Sequence, residues 1–245
     1  RSLGETEFVR GQAAMSASGT FGRAKACDAL FGNVDLTLGR AVEPILEQHI
    51  AASGGRFRGV RISSGWHADE KVGNVTEQPN LLIDPRVSEA AAVLSRMGLS
   101  LDCWLYHPQL DEVAQLADAH PGLTIILNHV GSPILGGPYR GKTDEVFKVW
   151  KAAITRVSNH NNVFIKLGAM PIRMPGFEGD RSLPPGSAEV AAAWRPWMET
   201  CIEAFGPARS MYESNFPVQK RWCSYQVCWN AFKRISASAS ASEKA

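Results

Sequence analysis

Two histidines follow strand-like apolar runs at equivalent points of the sequence. His107 comes after the run 99–105, and His129 comes after the run 123–127. Because neighbouring strands of a sheet lie about 5 Å apart, two such strands in parallel would bring both imidazoles to one site. Paired imidazoles serve as metal ligands or as general acids and bases. The alternative is that each histidine only forms hydrogen bonds within its own loop.

Cations stand near the ends of two further strand-like runs. These are Arg61 and Lys166. Either side chain could bind a carboxylate or polarise a carbonyl group, and the alternative is an ion pair with a nearby Asp or Glu. A loop rich in Gly and Pro, residues 131–141, adds Tyr139 as a further candidate.

Acidic and amide side chains lie at positions that are less favourable for catalysis. Asp102 lies inside its predicted strand, so we expect it to form an ion pair within the fold rather than to act in catalysis. Ser214 and Asn215, after the last run, offer hydrogen bonds but no ionisable base. Strand alternation is expected to direct the Glu213 carboxylate away from the Asn215 side.

Strand-like runs alternate with amphipathic segments along most of the chain. Between the two histidines, for example, Leu110, Val113 and Leu116 recur at helical spacing. This alternation favours a parallel α/β fold, in which ligands bind at the carboxyl ends of the strands. No GxGxxG turn follows any run, and an eight-stranded barrel would need two more units than the sequence offers. The predicted strands lie near residues 28–34, 57–62, 99–105, 123–128, 163–167 and 209–213.

One large domain is expected over residues 1–235, because a chain of 245 residues can build a full hydrophobic core. The Ser- and Ala-rich segment 236–245 is predicted to be disordered. Asp84 predicts the start of a helix and Gly98 its end. The Pro-rich segment 169–187 is interpreted as a long loop over the rim of the sheet.

Composition excludes several classes of function. A net charge of +2 provides no basic field for nucleic acid, and no run of Lys and Arg suggests a membrane surface. The apolar runs are too short for a transmembrane helix. Five cysteines without a CxxC pair are interpreted as reduced, mostly buried thiols, which favours a cytoplasmic location. The chain begins at Arg1 without a signal peptide, so we expect a processed or partial sequence.

Several segments, taken together, resemble the amidohydrolase-related family. They are Trp104-Leu-Tyr-His107-Pro-Gln-Leu110, Leu127-Asn-His129-Val-Gly131, Lys166-Leu-Gly168, Phe205-Gly206 and Met211-Tyr-Glu-Ser-Asn-Phe-Pro217. This family consists of TIM-barrel hydrolases that include sugar lactonases and a pyrone-dicarboxylate lactonase, with decarboxylases as more distant relatives. The resemblance implies a (β/α)8 barrel of the amidohydrolase type that lacks its first one or two βα units.

The resemblance also implies roles for particular residues. The family has a His-x-His on strand 1, a histidine after strand 5, a histidine after strand 6 and an aspartate after strand 8. His107 and His129 match the second and third of these, and Asn215 stands at the aspartate position. On this pattern His107, His129 and Asn215 are catalytic, and His107 and His129 are candidate ligands of one divalent metal, Zn or Mn, although a metal-free site is equally consistent.

The sequence departs from the family pattern in two respects. It contains no His-x-His, and an amide replaces the strand-8 carboxylate. An amide does not take a proton from water and is a poorer ligand for a divalent metal. In this scheme the substrate is bound by Arg61, Tyr139 and Lys166.

The leading interpretation is a hydrolase that acts on a lactone, or a similar cyclic ester or amide, of an acidic or sugar-derived small molecule. Two alternatives stay open. One is a catalytically inactive, truncated barrel that acts as an interaction protein, and the other is a lyase, such as a decarboxylase or hydratase, of the same superfamily. The expected partner is a small-molecule substrate, with neither nucleic acid nor membrane, and the open sheet edges favour a homo-oligomer.

Overall fold

A single parallel sheet organises the computed structural model, which describes residues 2–170 and 184–244. Its six strands follow one another in sequence order, and every neighbouring pair is parallel. The strands are β1 (Leu30–Gly32), β2 (Phe57–Ser63), β3 (Ser100–Trp104), β4 (Ile125–Leu127), β5 (Val163–Leu167) and β6 (Ser210–Tyr212). The predicted parallel α/β fold is therefore confirmed, and each predicted strand overlaps an observed one.

Helices alternate with the strands, as the apolar spacing predicts. They are α1 (Ser2–Ala17), α2 (Glu43–Ala52), α3 (Pro85–Arg96), α4 (Leu110–Ala119), α5 (Thr143–Ser158), α6 (Ser187–Phe205), α7 (Tyr225–Ile235) and the short α8 (Ala241–Lys244). The signals for α3 are confirmed: the Asp84 side chain accepts a hydrogen bond from the Arg86 N–H at 2.8 Å, and Gly98 adopts a φ of 68° just past the helix end.

The segment 236–245, predicted to be disordered, contains the short helix α8. The Ser240 hydroxyl accepts from the Glu243 N–H, and the Glu243 carboxylate accepts from the Ser240 N–H at 2.7 Å. This reciprocal capping is a local signal that can fix one turn of helix. The boundary of the domain at residue 235 stays a prediction, and residues 171–183, most of the predicted rim loop, lie outside the described residues.

The two faces of the sheet differ in composition because successive side chains of a strand point to opposite faces. Leu101, Ile125, Leu127 and Ile165 belong to the buried core, in which the sheet packs against the helices. We call the other side the inner face. It carries Arg61, Asp102 and Lys166, so the alternation of apolar and charged residues in these strands separates the core from the charged groups.

The cysteines are free and mostly buried, as the composition predicts. Four of the five cysteines are buried, the fifth, Cys27, is half-buried, and all five are free thiols. Among the helices that the structure describes, none combines the length and the apolar composition needed to span a bilayer.

Candidate active site

His129 is presented to the inner face by a left-handed turn directly after β4. The φ angles of His129, Val130, Gly131 and Ser132 are 58°, 48°, 71° and 41°. Such angles are unfavourable for side chains with a Cβ, most of all for a β-branched valine. The Trp150 indole N–H fixes the turn by donating to the Val130 carbonyl at 2.7 Å. Surrounding packing therefore imposes the position of the imidazole.

The His129 ring is held at both nitrogens. Nδ1 makes a short hydrogen bond to the Glu213 carboxylate, which also accepts from the His129 backbone N–H at 3.2 Å. Nε2 lies 3.0 Å from Nη2 of Arg61. A guanidinium group can only donate, so Nε2 is the acceptor and Nδ1 carries the proton. The imidazole, 6% exposed, thus has the tautomer and orientation of a general base whose lone pair is on Nε2.

Glu213 is the site residue that the sequence interpretation wrongly set aside. Residues i and i+2 of an extended chain share a face, so alternation cannot separate Glu213 from Asn215, and the correct use of the pattern would have placed them together. Burial alone raises the pKa of the Glu213 carboxyl. The hydrogen bond and the electrostatic attraction of His129, together with the positive charges of Lys166 and Arg61, outweigh burial and lower the pKa overall. Glu213 is therefore an ionised partner for the imidazole.

Gly168 makes room for Glu213 at the end of β5. A Cβ at this position would lie 2.0 Å from the Glu213 carbonyl oxygen and 2.7 Å from its Cγ. Contacts of this length do not occur, so only glycine permits the chain of Glu213 to approach β5 this closely. The Lys166-Leu-Gly168 segment thus supports the site through its glycine.

A cavity of about 780 Å³ opens beside His129. Arg61, Lys71, Arg221 and Asn215 contribute to its wall, and the described lining residues include no Asp or Glu. Three polar atoms on this wall are buried without a hydrogen-bond partner among the described residues: Arg61 Nε, Ser132 Oγ and Trp222 Nε1. Buried polar atoms are normally satisfied, so residues of this positively charged wall carry three polar atoms that the described contacts leave unsatisfied.

Asn215 is the predicted catalytic amide that the structure brings into the same cavity as His129 and Arg61. Its φ of 51° lies in the left-handed region, which asparagine tolerates better than most residues. Its backbone carbonyl oxygen accepts a hydrogen bond from the Gln219 N–H at 3.0 Å. Lys71 and Trp222 lie in turns and Arg221 ends a short 3-10 helix, and no sequence pattern identifies these three wall residues.

His107 and Tyr139 lie together behind the cavity wall. The two rings meet edge to face at 5.1 Å between centroids, and the Tyr139 hydroxyl lies 3.1 Å from His67 Nε2. His107 Nδ1 accepts from the Ile134 N–H at 3.2 Å, and the His107 N–H donates to the Ser132 carbonyl. Since residues 132–137 line the cavity, His107 supports that wall. Burial, followed by the nearby His67, lowers its pKa to about 4.

Lys166 is bound to Asp102 by an ion pair, which confirms the expected pairing of Asp102 within the fold. The ammonium also lies 5.5 Å from the centroid of the Phe31 ring. Neither Lys166 nor Asp102 is among the described residues that line the cavity. The structure therefore brings His129, Arg61 and Asn215 together and gives His107, Tyr139 and Lys166 other immediate partners.

The described residues do not fit a divalent metal. Both nitrogens of His129 already have partners, and the Nε2 partner is the cationic guanidinium of Arg61, which repels another cation. His107 Nδ1 accepts a backbone N–H. Within residues 2–170 and 184–244 no group of three or more His, Cys, Asp and Glu side chains is placed to hold a metal. We therefore derive no chemical step through a metal ion.

Comparison with families of known proteins gives one match over most of the chain. The model of the amidohydrolase family matches residues 20–245. The uncharacterized protein y4mH of Sinorhizobium fredii is 32% identical over 203 residues. That alignment covers 83% of this chain but only 61% of y4mH, so the chain spans about three fifths of the length of this relative.

Solved structures share the curled parallel sheet. An amidohydrolase from Burkholderia multivorans with bound zinc has a TM-score of 0.74 and 23% identity, and the match covers 98% of this chain and 74% of that one. A Pseudomonas putida protein described as a 2-pyrone-4,6-dicarboxylic acid hydrolase has a TM-score of 0.53 and 17% identity, with 88% and 65% coverage. At these identities the likeness establishes the fold: a six-stranded curled sheet of the kind seen in amidohydrolase barrels.

Proposed function

Since the chain belongs to the amidohydrolase family, we propose that it is a hydrolase that opens a lactone, or a similar cyclic ester or amide, of an acidic small molecule. One observation carries the proposal: His129, which is hydrogen-bonded to Glu213, lines a cavity whose wall is cationic. Proton transfer by a positioned imidazole and electrostatic stabilisation of an oxyanion are the two functions that such a hydrolysis needs.

Substrate binding follows from the charges of the wall. Arg61, Lys71 and Arg221 attract a carboxylate on the substrate. Arg61 lies on this wall beside His129, where it can bind the carboxylate or the carbonyl oxygen that becomes negatively charged. A sugar-derived lactone with a free carboxylate, or an aromatic lactone with carboxylate substituents, satisfies both requirements.

The chemical step uses the lone pair of His129 Nε2. When the substrate carboxylate pairs with Arg61, the guanidinium leaves Nε2, which then accepts a proton from water. The water oxygen bonds to the carbonyl carbon, the ring C–O bond breaks, and the leaving alkoxide takes the proton back from His129. The product is an open-chain hydroxy acid. Glu213 holds the Nδ1 proton throughout and stabilises the transient imidazolium.

The remaining predicted residues take supporting roles in this proposal. Asn215, which has no proton to exchange at neutral pH, orients the water or the substrate from the cavity wall. His107 and Tyr139 hold the wall formed by residues 132–137 instead of contacting the reacting atoms.

Acid release from a panel of lactones tests the proposal. The panel contains aldonolactones, lactones with one added carboxylate and aromatic lactone carboxylates, and a pH indicator follows hydrolysis. We expect turnover of at least one anionic lactone, and His129→Ala should lower kcat about 10²- to 10⁴-fold.

The matched control is His160→Ala, since His160 follows α5 at the amino-terminal end of β5 and pairs with Asp118. This variant should keep wild-type turnover. Turnover that survives in His129→Ala would contradict the role of the imidazole. A panel that releases carbon dioxide instead of acid would contradict hydrolysis itself.

A further inference from the structure

An ion pair on the inner face lies outside the reaction described so far. Lys166 Nζ contacts Oδ2 of Asp102, a residue only 2% exposed. The other carboxylate oxygen, Oδ1, is buried with no hydrogen-bond partner among the described residues. A buried ion pair with an unsatisfied oxygen contributes little to stability or lowers it. Stability alone therefore does not account for this arrangement.

Lys166 reaches Asp102 across a complete strand. Asp102 on β3 is aligned with Ile126 on β4, and Ile126 is aligned with Phe164 on β5. Two strand spacings amount to about 10 Å, so the lysine side chain extends across β4 to meet its partner. The contact thus draws the ammonium away from β6 and toward the centre of the sheet.

Glu213 is the second carboxylate near this lysine. Lys166 is aligned with Met211 on β6, and Glu213 follows two residues later on the same face. The positive charge of Lys166 acts on the Glu213 carboxyl, as do the charges of His129 and Arg61. The charge of one ammonium therefore acts on two carboxylates, of which Asp102 binds it and Glu213 binds the imidazole.

We infer that Asp102 is a positioning residue that holds the Lys166 ammonium away from Glu213, so that Glu213 stays the partner of His129. The inference rests on the proposed function, in which Glu213 must accept the hydrogen bond from the Nδ1–H of His129. With Asp102 neutral, the ammonium loses its counter-ion and moves to the next carboxylate, because a partly buried cation without a partner is unfavourable. Glu213 then binds Lys166, and the imidazole loses the contact that fixes its tautomer.

A pair of isosteric variants tests this competition. Asp102→Asn should lower kcat about 10- to 100-fold, the loss typical when an outer partner of a site histidine is removed, with little change in KM. Adding Lys166→Met removes the competing cation, so the double variant should recover most of the lost kcat. A structural role for Asp102 predicts no recovery, and a substrate-binding role for Lys166 predicts a raised KM in the double variant. Either result would overturn the inference.

Folding of the variants is checked by thermal melts followed by circular dichroism. If Asp102→Asn does not fold, the double variant still decides the question, because it replaces the ion pair by a neutral pair of similar size. Its kcat and KM should both stay close to those of the wild type, and a large loss of kcat in a folded double variant would contradict the inference.

The proton NMR signal of the His129 Nδ1–H provides a readout that needs no substrate. Its assignment comes from its loss in His129→Gln. We expect the signal to be lost or shifted in Asp102→Asn and restored in the double variant. This pattern in a protein that hydrolyses no lactone would refute the proposed function but keep the inference. Lactone turnover together with an unchanged signal in Asp102→Asn would refute the inference but keep the function.

Discussion

On the helix-facing side of the sheet, neighbouring strands place Leu101, Ile125 and Leu127 in continuous apolar contact, and all three are fully buried. On the inner face β3 carries Asp102 and β5 carries Lys166, and these charged groups contact each other although they are far apart in sequence. The helix-facing side stabilises the fold because it removes apolar surface area from water. The inner face keeps charged groups partly buried, which is unfavourable unless each has a partner.

Backbone strain is found in turns at the carboxyl ends of the strands. Val130, with a φ of 48°, lies in the turn after β4 that carries His129 to the cavity, and Asn215, with a φ of 51°, follows β6 and lines the cavity. Within the described strands no residue of either face has a positive φ. The comparison indicates that the apolar side stabilises the fold. The favourable free energy of its burial offsets the unfavourable backbone angles of the site.

Glu213→Gln should have the largest effect on the inner face. The amide keeps the size of the side chain but no longer stabilises an imidazolium, so kcat should fall about 10²- to 10⁴-fold. Thermal melting should change little by comparison. Activity assays paired with a thermal melt check this prediction. A variant that is strongly destabilised, but whose folded fraction keeps full turnover, would contradict the assignment of catalysis to the inner face and of stability to the core face.

Leu127→Ala should show the opposite behaviour on the core face. Leu127 is fully buried, and removing its side chain should lower the free energy of unfolding by about 2–5 kcal/mol. Urea unfolding measures this loss. Turnover per folded molecule should stay near the wild-type value at low temperature, and a specific loss of kcat would show that the two faces are not independent.

Gly168→Ala should affect both properties, because this residue joins the strand to the chain of Glu213. The added Cβ would meet the Glu213 carbonyl at 2.0 Å, so the backbone must shift. We expect about 1–3 kcal/mol of destabilisation together with a lower kcat. The matched control is Gly55→Ala, since a Cβ added at Gly55 would meet no heavy atom within 4 Å and this variant should lose stability only through the positive φ of the residue. Equal turnover in both variants would disprove the supporting role of Gly168.

The smallest expected effect is a pH dependence of stability. The pKa of Glu213 is lowered in the folded protein. Burial opposes this lowering, but the hydrogen bond and electrostatic attraction of His129, together with the charges of Lys166 and Arg61, outweigh burial. Glu213 therefore stabilises the fold above its unfolded pKa, and this contribution is lost as the pH falls through the folded value. The stability difference between wild type and Glu213→Gln should shrink below about pH 4. A difference that grows on acidification would contradict the assigned partners.

Much of the architecture was predictable, because the apolar periodicity of strands and helices directly reflects burial. The parallel order, the helix start at Asp84 and the placing of His129 after β4 all follow from local pattern. The pairing of His129 with Glu213, two residues that are 84 positions apart, depends on tertiary contacts. So does the role of Lys166, which has a carboxylate on either side.

The rim of the cavity was the least predictable part. Arg221 and Lys71 lie in irregular segments, where no period relates sequence to position. His107 follows its strand as expected, yet its side chain supports a loop because Tyr139 occupies the neighbouring space. The sequence thus identifies which side chains lie at strand ends more readily than it identifies which neighbours those side chains contact.

A matched pair of substrates tests the central claim most directly. The first is an anionic lactone that the protein hydrolyses, and the second is the same lactone with its carboxylate as the methyl ester. The account predicts a kcat/KM at least about tenfold higher for the anion, since Arg61, Lys71 and Arg221 surround the cavity. It also predicts that Arg221→Ala narrows this ratio while kcat for the ester is unchanged. Equal kcat/KM for the two substrates, or a preference for the ester, would contradict a cationic site for anionic lactones.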